Sequence, residues 1–411
     1  SLALVVHAAP GHDAIDNAVQ QTFEHYRLPG LAVGVIRDGE IVYTRTLGER
    51  EAGGGERIDN ATLFKIASNS KAMTAGVLAR LVDAGRLKWD DPVTKHLPQF
   101  RMHDPWVTQQ MQVRDLLIHN SGLGLGAGDL MLWPEPNRFT RADIIAGLQH
   151  LKPTHSFRAA YAYDNLLYVV AGEVAAAAGG APYEELVKRE LFQPLGLSRC
   201  QVGEWNRVEV GNVAQPHMRT PQGNRVIRED ETIVPNVTSM AAGGIRCSLD
   251  DMLSWMRMWL SPEAQPAWLS PAQRRAVWTA HMPMPVSARM RKWDNSHFSA
   301  YGYGWRLSDV DGAWKVAHTG TLAGMYSSVI LLPDQRTGIV ILINGEGEAA
   351  RTVLGQVLTK QITRPGETHS VAHYAALLDE ERAGERAAKP KPDTRPRRPA
   401  RPGRGKKSRA D

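Results

Sequence analysis

Cysteine is nearly absent: the 411 residues contain two, Cys200 and Cys247. That excludes a disulfide framework, and their spacing excludes a cysteine metal site. A single bond between them is compatible with export. Buried thiols pack well as small apolar groups, so two free cysteines are the expectation. Long apolar runs are missing too, and no stretch is long enough to cross a bilayer as a helix. No segment repeats. The glycine-rich "GLGLGAGD" at 122–129 has neither a strand leading into it nor a phosphate-loop lysine after it. It reads as a flexible loop, not as a nucleotide cradle.

The body of the chain also lacks an excess of charge of one sign. The formal net charge is +6, with 49 basic and 43 acidic residues. Residues 389–411 hold ten basic and two acidic residues, a net of +8, which leaves 39 basic against 41 acidic, a net of −2, for the rest. The basic character therefore belongs to a Pro-, Arg- and Lys-rich tail that has too few apolar residues to bury a core. Such a tail is expected to be disordered and attracts anionic surfaces without sequence specificity. It carries no interleaved aromatics for base stacking, so sequence-specific nucleic-acid binding is not expected.

What is present is ordinary globular composition, 43% hydrophobic and 22% charged. The opening "SLALVVHAAP" looks like the end of a signal-peptide core with small residues before a cleavage point after Ala8. Residues 1–9 are read as that remnant or a frayed end, and the implied location is periplasmic or secreted. Residues 12–27 have a helical pattern. "LAVGVIRDGEIVYTRTLG" is two β-rich runs around Asp38-Gly39, a strong hairpin signal. Asn69 to Arg86 reads as a helix with an apolar stripe at Val77, Leu78, Leu81 and Val82. The middle is mostly helical in pattern. Strand character returns in "WKVAHTG", "MYSSVILLPD" and "TGIVILING", and "EAARTVLGQVLTKQI" reads as a closing helix. The fold class is mixed α/β (α+β): one antiparallel sheet built from both chain ends, flanked by helices, with a mostly helical lobe inserted.

Three short motifs carry chemistry. Ser68-Asn69-Ser70-Lys71 is the single S-x-x-K in the chain, at a helix start. A spacing of three puts both side chains on one helical face. A serine hydroxyl is a poor nucleophile until a base takes its proton, and a buried lysine serves because desolvation disfavours its charged form. The bland alternative is a helix cap and an exposed charge. Tyr163-Asp164-Asn165 is the single Y-x-N. Tyr163 can share the proton work and Asn165 can donate to a substrate carbonyl; the bland reading is a loop aromatic. His318-Thr319-Gly320-Thr321 ends a strand, where Thr319 can bond a substrate edge and Gly320 allows close backbone approach. His119 in "LIHNSG" reads as structural.

These motifs, in this order, resemble those of the penicillin-recognising serine hydrolases. That family holds the class C β-lactamases, the DD-peptidases, and esterase and D-aminopeptidase relatives. "TLFKIASNSKAMTA", "VRDLLIHNSGL", "PYEELVKRELFQPLGL" and "AAGGIRCSLDDMLSW" extend the likeness over roughly residues 12–362. The resemblance implies a hydrolase domain over 10–365. Its sheet lobe would take about 10–67 and 235–365, its helical lobe about 68–234, and an extension would run from 366 to 411. It implies Ser68 as nucleophile, Lys71 and Tyr163 as proton-handling groups with the division between them open, and Asn165, His318, Thr319 and Gly320 on the substrate. The oxyanion would sit between the N–H groups of Ser68 and Thr321. No metal or cofactor is implied. The substrate would be a small ester, amide or peptide; the alternative is a penicillin-binding-type receptor that is acylated without efficient turnover. His318 stands where many relatives have lysine. A mostly neutral imidazole at the cleft edge would disfavour substrates with a carboxylate there, as in the esterase and D-aminopeptidase branches. The composition of the tail leads to a direct expectation: truncation before Lys389 leaves the melting temperature unchanged within about a degree, as differential scanning fluorimetry will show.

Overall fold

The computed structural model describes residues 11–264, 268–367 and 369–389, so the expected leader at 1–9 and the basic tail from 390 on lie outside the described residues. Helix α1 (His12–His25) leads into a hairpin of β1 (Gly30–Arg37) and β2 (Glu40–Gly48). Its turn residues Asp38 and Gly39 have φ of 51° and 77°. Two left-handed residues in succession suit a tight hairpin. A short strand β3 (Phe64–Lys65) and a 3₁₀ turn at Ala67–Asn69 precede α2 (Ser70–Asp83). A mainly helical stretch follows, with α3 (Leu166–Gly179) in its middle. Then come β4 (Arg246–Cys247) and α4 (Leu249–Leu260). Six further strands complete the sheet: β5 (Met282–Pro283), β6 (Ser299–Tyr301), β7 (Arg306–Val310), β8 (Ala313–Leu322), β9 (Met325–Leu332) and β10 (Thr337–Ile343). Helices α5 (Glu348–Thr363) and α6 (Val371–Ala388) end the described chain.

The main sheet has eight strands in the order β2-β1-β10-β9-β8-β7-β6-β5, every neighbouring pair antiparallel. Both chain ends meet in it, since Leu31 of β1 pairs with Ile343 of β10. The alternation of side chains divides the core in two. Leu31, Val33 and Val35 pack with Ile339, Ile341 and Ile343 against α1, α5 and α6. Ala32, Ile36, Val340 and Leu342 face the other way, into the core shared with α2, α3 and α4. Helix α4 lies so close to that face that a side chain on Gly34 would collide with Leu253.

One expectation needs correction. The cysteines are not free thiols: Cys200 and Cys247 form a disulfide. The cause is a backbone pairing that spacing does not reveal. Gln201 and Arg246 exchange N–H···O bonds of 2.8 and 3.1 Å, which sets Cys200 opposite Cys247. The extension expected from 366 begins with a helix that packs on the body. Its helix α6 buries Val371, Tyr374, Ala375 and Leu378 in the core behind the sheet. Truncation before Val371 removes three large buried side chains, each worth about 1.5–3 kcal/mol. We expect it to lower the melting temperature by several degrees, in contrast with truncation before Lys389, and thermal melts of the two shortened proteins provide the comparison.

Candidate active site

A cleft of about 860 Å³ opens between the sheet and the helical part, lined by Ser68, Tyr163, Asn165, Arg306, Thr319 and Thr321 among others. Ser68 sits on the 3₁₀ turn before α2, directly after Ala67, whose φ is 50°. A left-handed non-glycine residue costs free energy and persists only where its surroundings hold it. Here β9 supplies the hold. The Ser327 hydroxyl donates to the Ile66 carbonyl (2.8 Å) and accepts from Asn69 Nδ2 (2.8 Å), so the turn is tied down on both sides of Ser68. Ser70, the neighbouring hydroxyl, is fully buried and accepts from the Ile245 N–H at 3.1 Å, which commits it to structure.

Lys71 lies behind Ser68, fully buried. Its Nζ is 3.1 Å from Ser68 Oγ, 2.7 Å from Asn165 Oδ1 and 2.9 Å from the Ala242 carbonyl. Asn165 is oriented by its other end, where Nδ2 donates to the Asp129 carboxylate at 3.2 Å. Burial holds the Lys71 pKa well below the usual lysine range and the Arg306 charge adds to this, while Asp129 and Asp164 oppose it. Asp164 is itself so desolvated that its carboxyl rises to about 8. The chemistry of the three partners is then informative. A neutral amine has two hydrogens and one lone pair. Asn165 Oδ1 and the Ala242 carbonyl only accept, so they take the hydrogens. In that neutral form the lone pair is left for Ser68, the one partner with a proton to give.

Tyr163 covers this pair, its ring centroid 4.6 Å from Lys71 Nζ. Its buried hydroxyl has no hydrogen bond of standard geometry among the described residues, although Ser68 is near enough to favour its ionised form slightly. Burial dominates and pushes the phenol pKa up, so Tyr163 is a neutral phenol. His119 packs on the Tyr163 ring at 4.2 Å and accepts from the Asp164 N–H at 3.0 Å. It lies under the site and keeps its structural reading.

The pleat of β8 sorts the remaining motif. Thr319 and Thr321 point into the cleft, whereas His318 and Gly320 point inward, and His318 is 1% exposed. The expectation of His318 on the substrate edge is therefore corrected. Its Nδ1 donates to the Thr319 carbonyl (2.7 Å), so Nε2 accepts from the Tyr301 hydroxyl (2.8 Å). Burial, with Arg306 next, keeps it neutral. Gly320 also differs from its expected use. A Cβ there would lie 2.2 Å from the Ile66 carbonyl oxygen and 2.4 Å from Ser327 Oγ. The close approach is by the protein's own turn at Ile66 and Ala67. Beyond Ala317, which pairs with Arg306, β8 runs on without β7 beside it and leaves an edge facing the cleft.

Sequence reasoning missed Arg306. Its guanidinium stands 5.5 Å from the Tyr163 ring centroid and 5.9 Å from that of Tyr301. It places a permanent cation in the wall of the cleft that also holds Ser68. The signal available was a lone charge closing the aromatic and glycine run "YGYGWR" at 301–306.

Comparison with known proteins identifies the family. A sequence model of the family described as Beta-lactamase matches residues 15–357. The chain belongs to the Beta-lactamase family. The cleft residues Ser68, Lys71, Tyr163, Asn165, Arg306 and Thr319 all fall within the matched span. Unguisins hydrolase ungD′ of Aspergillus campestris is 25% identical over 340 residues, 79% of this chain and 60% of that protein. Protein flp of Staphylococcus aureus is 23% identical over 340 residues, 81% of this chain and 63% of the relative. The chain thus spans less than two thirds of the length of these curated relatives. The octameric penicillin-binding protein homologue from Pyrococcus abyssi superposes with a TM-score of 0.73 at 21% identity, over 91% of this chain and 81% of that one. At that identity the likeness speaks for the fold alone. The crowding at Gly320 gives a prediction. Gly320→Ala should destabilise the protein by about 1–3 kcal/mol through overpacking, whereas Thr319→Ala on the exposed face should stay within about 0.5 kcal/mol; denaturant unfolding distinguishes them.

Proposed function

We propose that the chain is a serine hydrolase that cleaves a small ester or amide through an acyl group carried on Ser68. The observation that carries this reading is the placement of Lys71, whose Nζ lies 3.1 Å from Ser68 Oγ and whose two other partners can only accept, so that in its neutral form the amine keeps a lone pair for the Ser68 proton. In the first step the Ser68 oxygen bonds to the substrate carbonyl carbon as its proton passes to Lys71. Negative charge then develops on the carbonyl oxygen. The N–H groups of Ser68 and Thr321 are the proposed donors for it. Collapse expels the alcohol or amine, which takes a proton that began on Ser68, with the neutral phenol of Tyr163 available as relay. Water repeats the sequence and releases the acid. Arg306 keeps a positive charge over Tyr163 throughout, which favours unprotonated Lys71 and the developing anion alike. A relative named as a hydrolase supports this reading. The Cys200–Cys247 disulfide supports a further proposal, that the protein works in the periplasm or outside the cell, since such bonds persist in oxidising compartments.

A neutral alkyl phosphonate, followed by intact mass and peptide mapping, tests the assignment. Wild-type protein and Ser70→Ala should each take up one adduct on Ser68, and Ser68→Ala none. An adduct on Ser70, or one that survives in Ser68→Ala, removes the basis of the proposal. With a p-nitrophenyl ester the acyl adduct should turn over; an adduct that persists for hours makes the protein an acylated receptor instead.

The pH dependence follows from the direction of the Lys71 shift. Above its depressed pKa the amine is free and labelling is at its plateau. As pH falls through that pKa the amine protonates, and the rate should fall about tenfold per unit. Tyr163 stays protonated well into the alkaline range, so its ionisation adds no descending limb near neutrality. Lys71→Arg, which cannot deprotonate, should be slow at every pH. A Lys71→Arg variant that labels as fast as wild type contradicts a lysine base.

A further inference from the structure

A side chamber of about 240 Å³ opens off the cleft, and Lys65, Glu135, Arg228 and Leu322 line both spaces. Of its charged groups, Arg246 and Asp230 are committed to each other, whereas Arg228, Glu135 and Lys65 are not paired with an opposite charge. Arg246 forms two hydrogen bonds with Asp230, at 2.6 and 2.9 Å, and lies over the Trp205 ring. Arg228 Nη1 donates to the Glu135 backbone carbonyl at 2.7 Å, which leaves the rest of its guanidinium free. The Glu135 carboxylate accepts from Ser239 Oγ at 3.1 Å. The Lys65 ammonium has no hydrogen bond or ion pair among the described residues. It sits three residues before Ser68, on β3, opposite Arg246 of β4. Burial lowers its pKa to about 8, with Arg246 adding to the shift, Asp230 and Glu135 opposing it, and Arg228 adding slightly. A cation held against desolvation in a cleft is relieved by a matching anion.

We propose that this chamber is a subsite for a carboxylate carried by the substrate, held by the Lys65 ammonium together with the unused nitrogens of Arg228. The proposal rests on Ser68 as the nucleophile. A monoanion fits better than a phosphate, because Glu135 and Asp230 lie close by and disfavour a second negative charge. The chamber admits a group of only a few atoms, and Trp205, Val234 and Met240 on its wall suit a short methylene arm. The substrate class is thus an ester or amide with a carboxyl-terminated side arm, such as the monoester of a dicarboxylic acid. Recognition on this side of the cleft does not need a lysine at position 318.

The experiment compares two phosphonate probes that differ only in a terminal carboxylate or its methyl ester. Second-order rates of adduct formation on Ser68 are measured by mass spectrometry. The expected result is a preference of about tenfold or more for the carboxylate probe in wild type, the range of a charge-assisted hydrogen bond. The preference should fall towards one in Lys65→Met, drop severalfold in Arg228→Met, and survive in Lys65→Arg, which guards against a misfolded methionine variant. It should also decline as pH rises past about 8, where the Lys65 ammonium is lost; taking the ratio of the two probes removes the contribution of Lys71. Equal rates for the two probes in wild type overturn the subsite. A ratio unchanged in Lys65→Met, with both rates reduced, shows that Lys65 only supports the nucleophile turn and also overturns it. If neither probe labels Ser68, the hydrolase reading itself fails and the subsite falls with it.

Discussion

The buried amine of Lys71 has to be satisfied by three neighbours at once, and the three come from distant parts of the chain. Ser68 belongs to the turn before α2, Asn165 to the start of α3, and Ala242 to the backbone just before β4. An amine sealed from water with even one missing partner costs on the order of the 1–3 kcal/mol of an unmade hydrogen bond. The need for all three therefore locks these segments together. The sheet enters the same arrangement through Ser327, which ties the backbone on either side of Ser68 to β9. The left-handed Ala67 is tolerable because this network over-determines it. Ser68 is placed by packing around Lys71 and not by its own local propensity.

Cations in the cleft are divided by how firmly each is already engaged. Arg306 rests over two tyrosine rings and acts on the titration of its surroundings, lowering Lys71 and His318 and opposing the rise of Tyr163. Arg246 is neutralised by Asp230. Lys65 alone of these three has its charge unspent. The same positive charge count, distributed otherwise, would give a cleft with no directional preference for an anion.

The legible part of this molecule was the part encoded by short-range spacing. Ser68 and Lys71 are one helical turn apart, Tyr163 and Asn165 are two residues apart, and the structure brings all four together. The β1–β2 hairpin was readable from Asp38-Gly39, and the β9–β10 turn from "PDQRTG". What escaped depends on registers between strands far apart in sequence. Arg306 reaches Tyr163 because β7 pairs with β8 at Ala317. The disulfide follows from Gln201 meeting Arg246. The misplacement of His318 was of another kind. Strand alternation was already enough to show that if Thr319 faces the substrate, His318 cannot.

The pairing of β1 with β10 also constrains how the protein is made. Leu31 waits for Ile343, so the N-terminal hairpin leaves the ribosome with one edge bare and keeps it bare while nearly the whole chain is synthesised. Contacts of such sequence separation form late and slowly. Until then the apolar run "LAVGVI" is a template for pairing with other chains. The finished sheet hides this edge, because β10 pairs along nearly the whole length of β1.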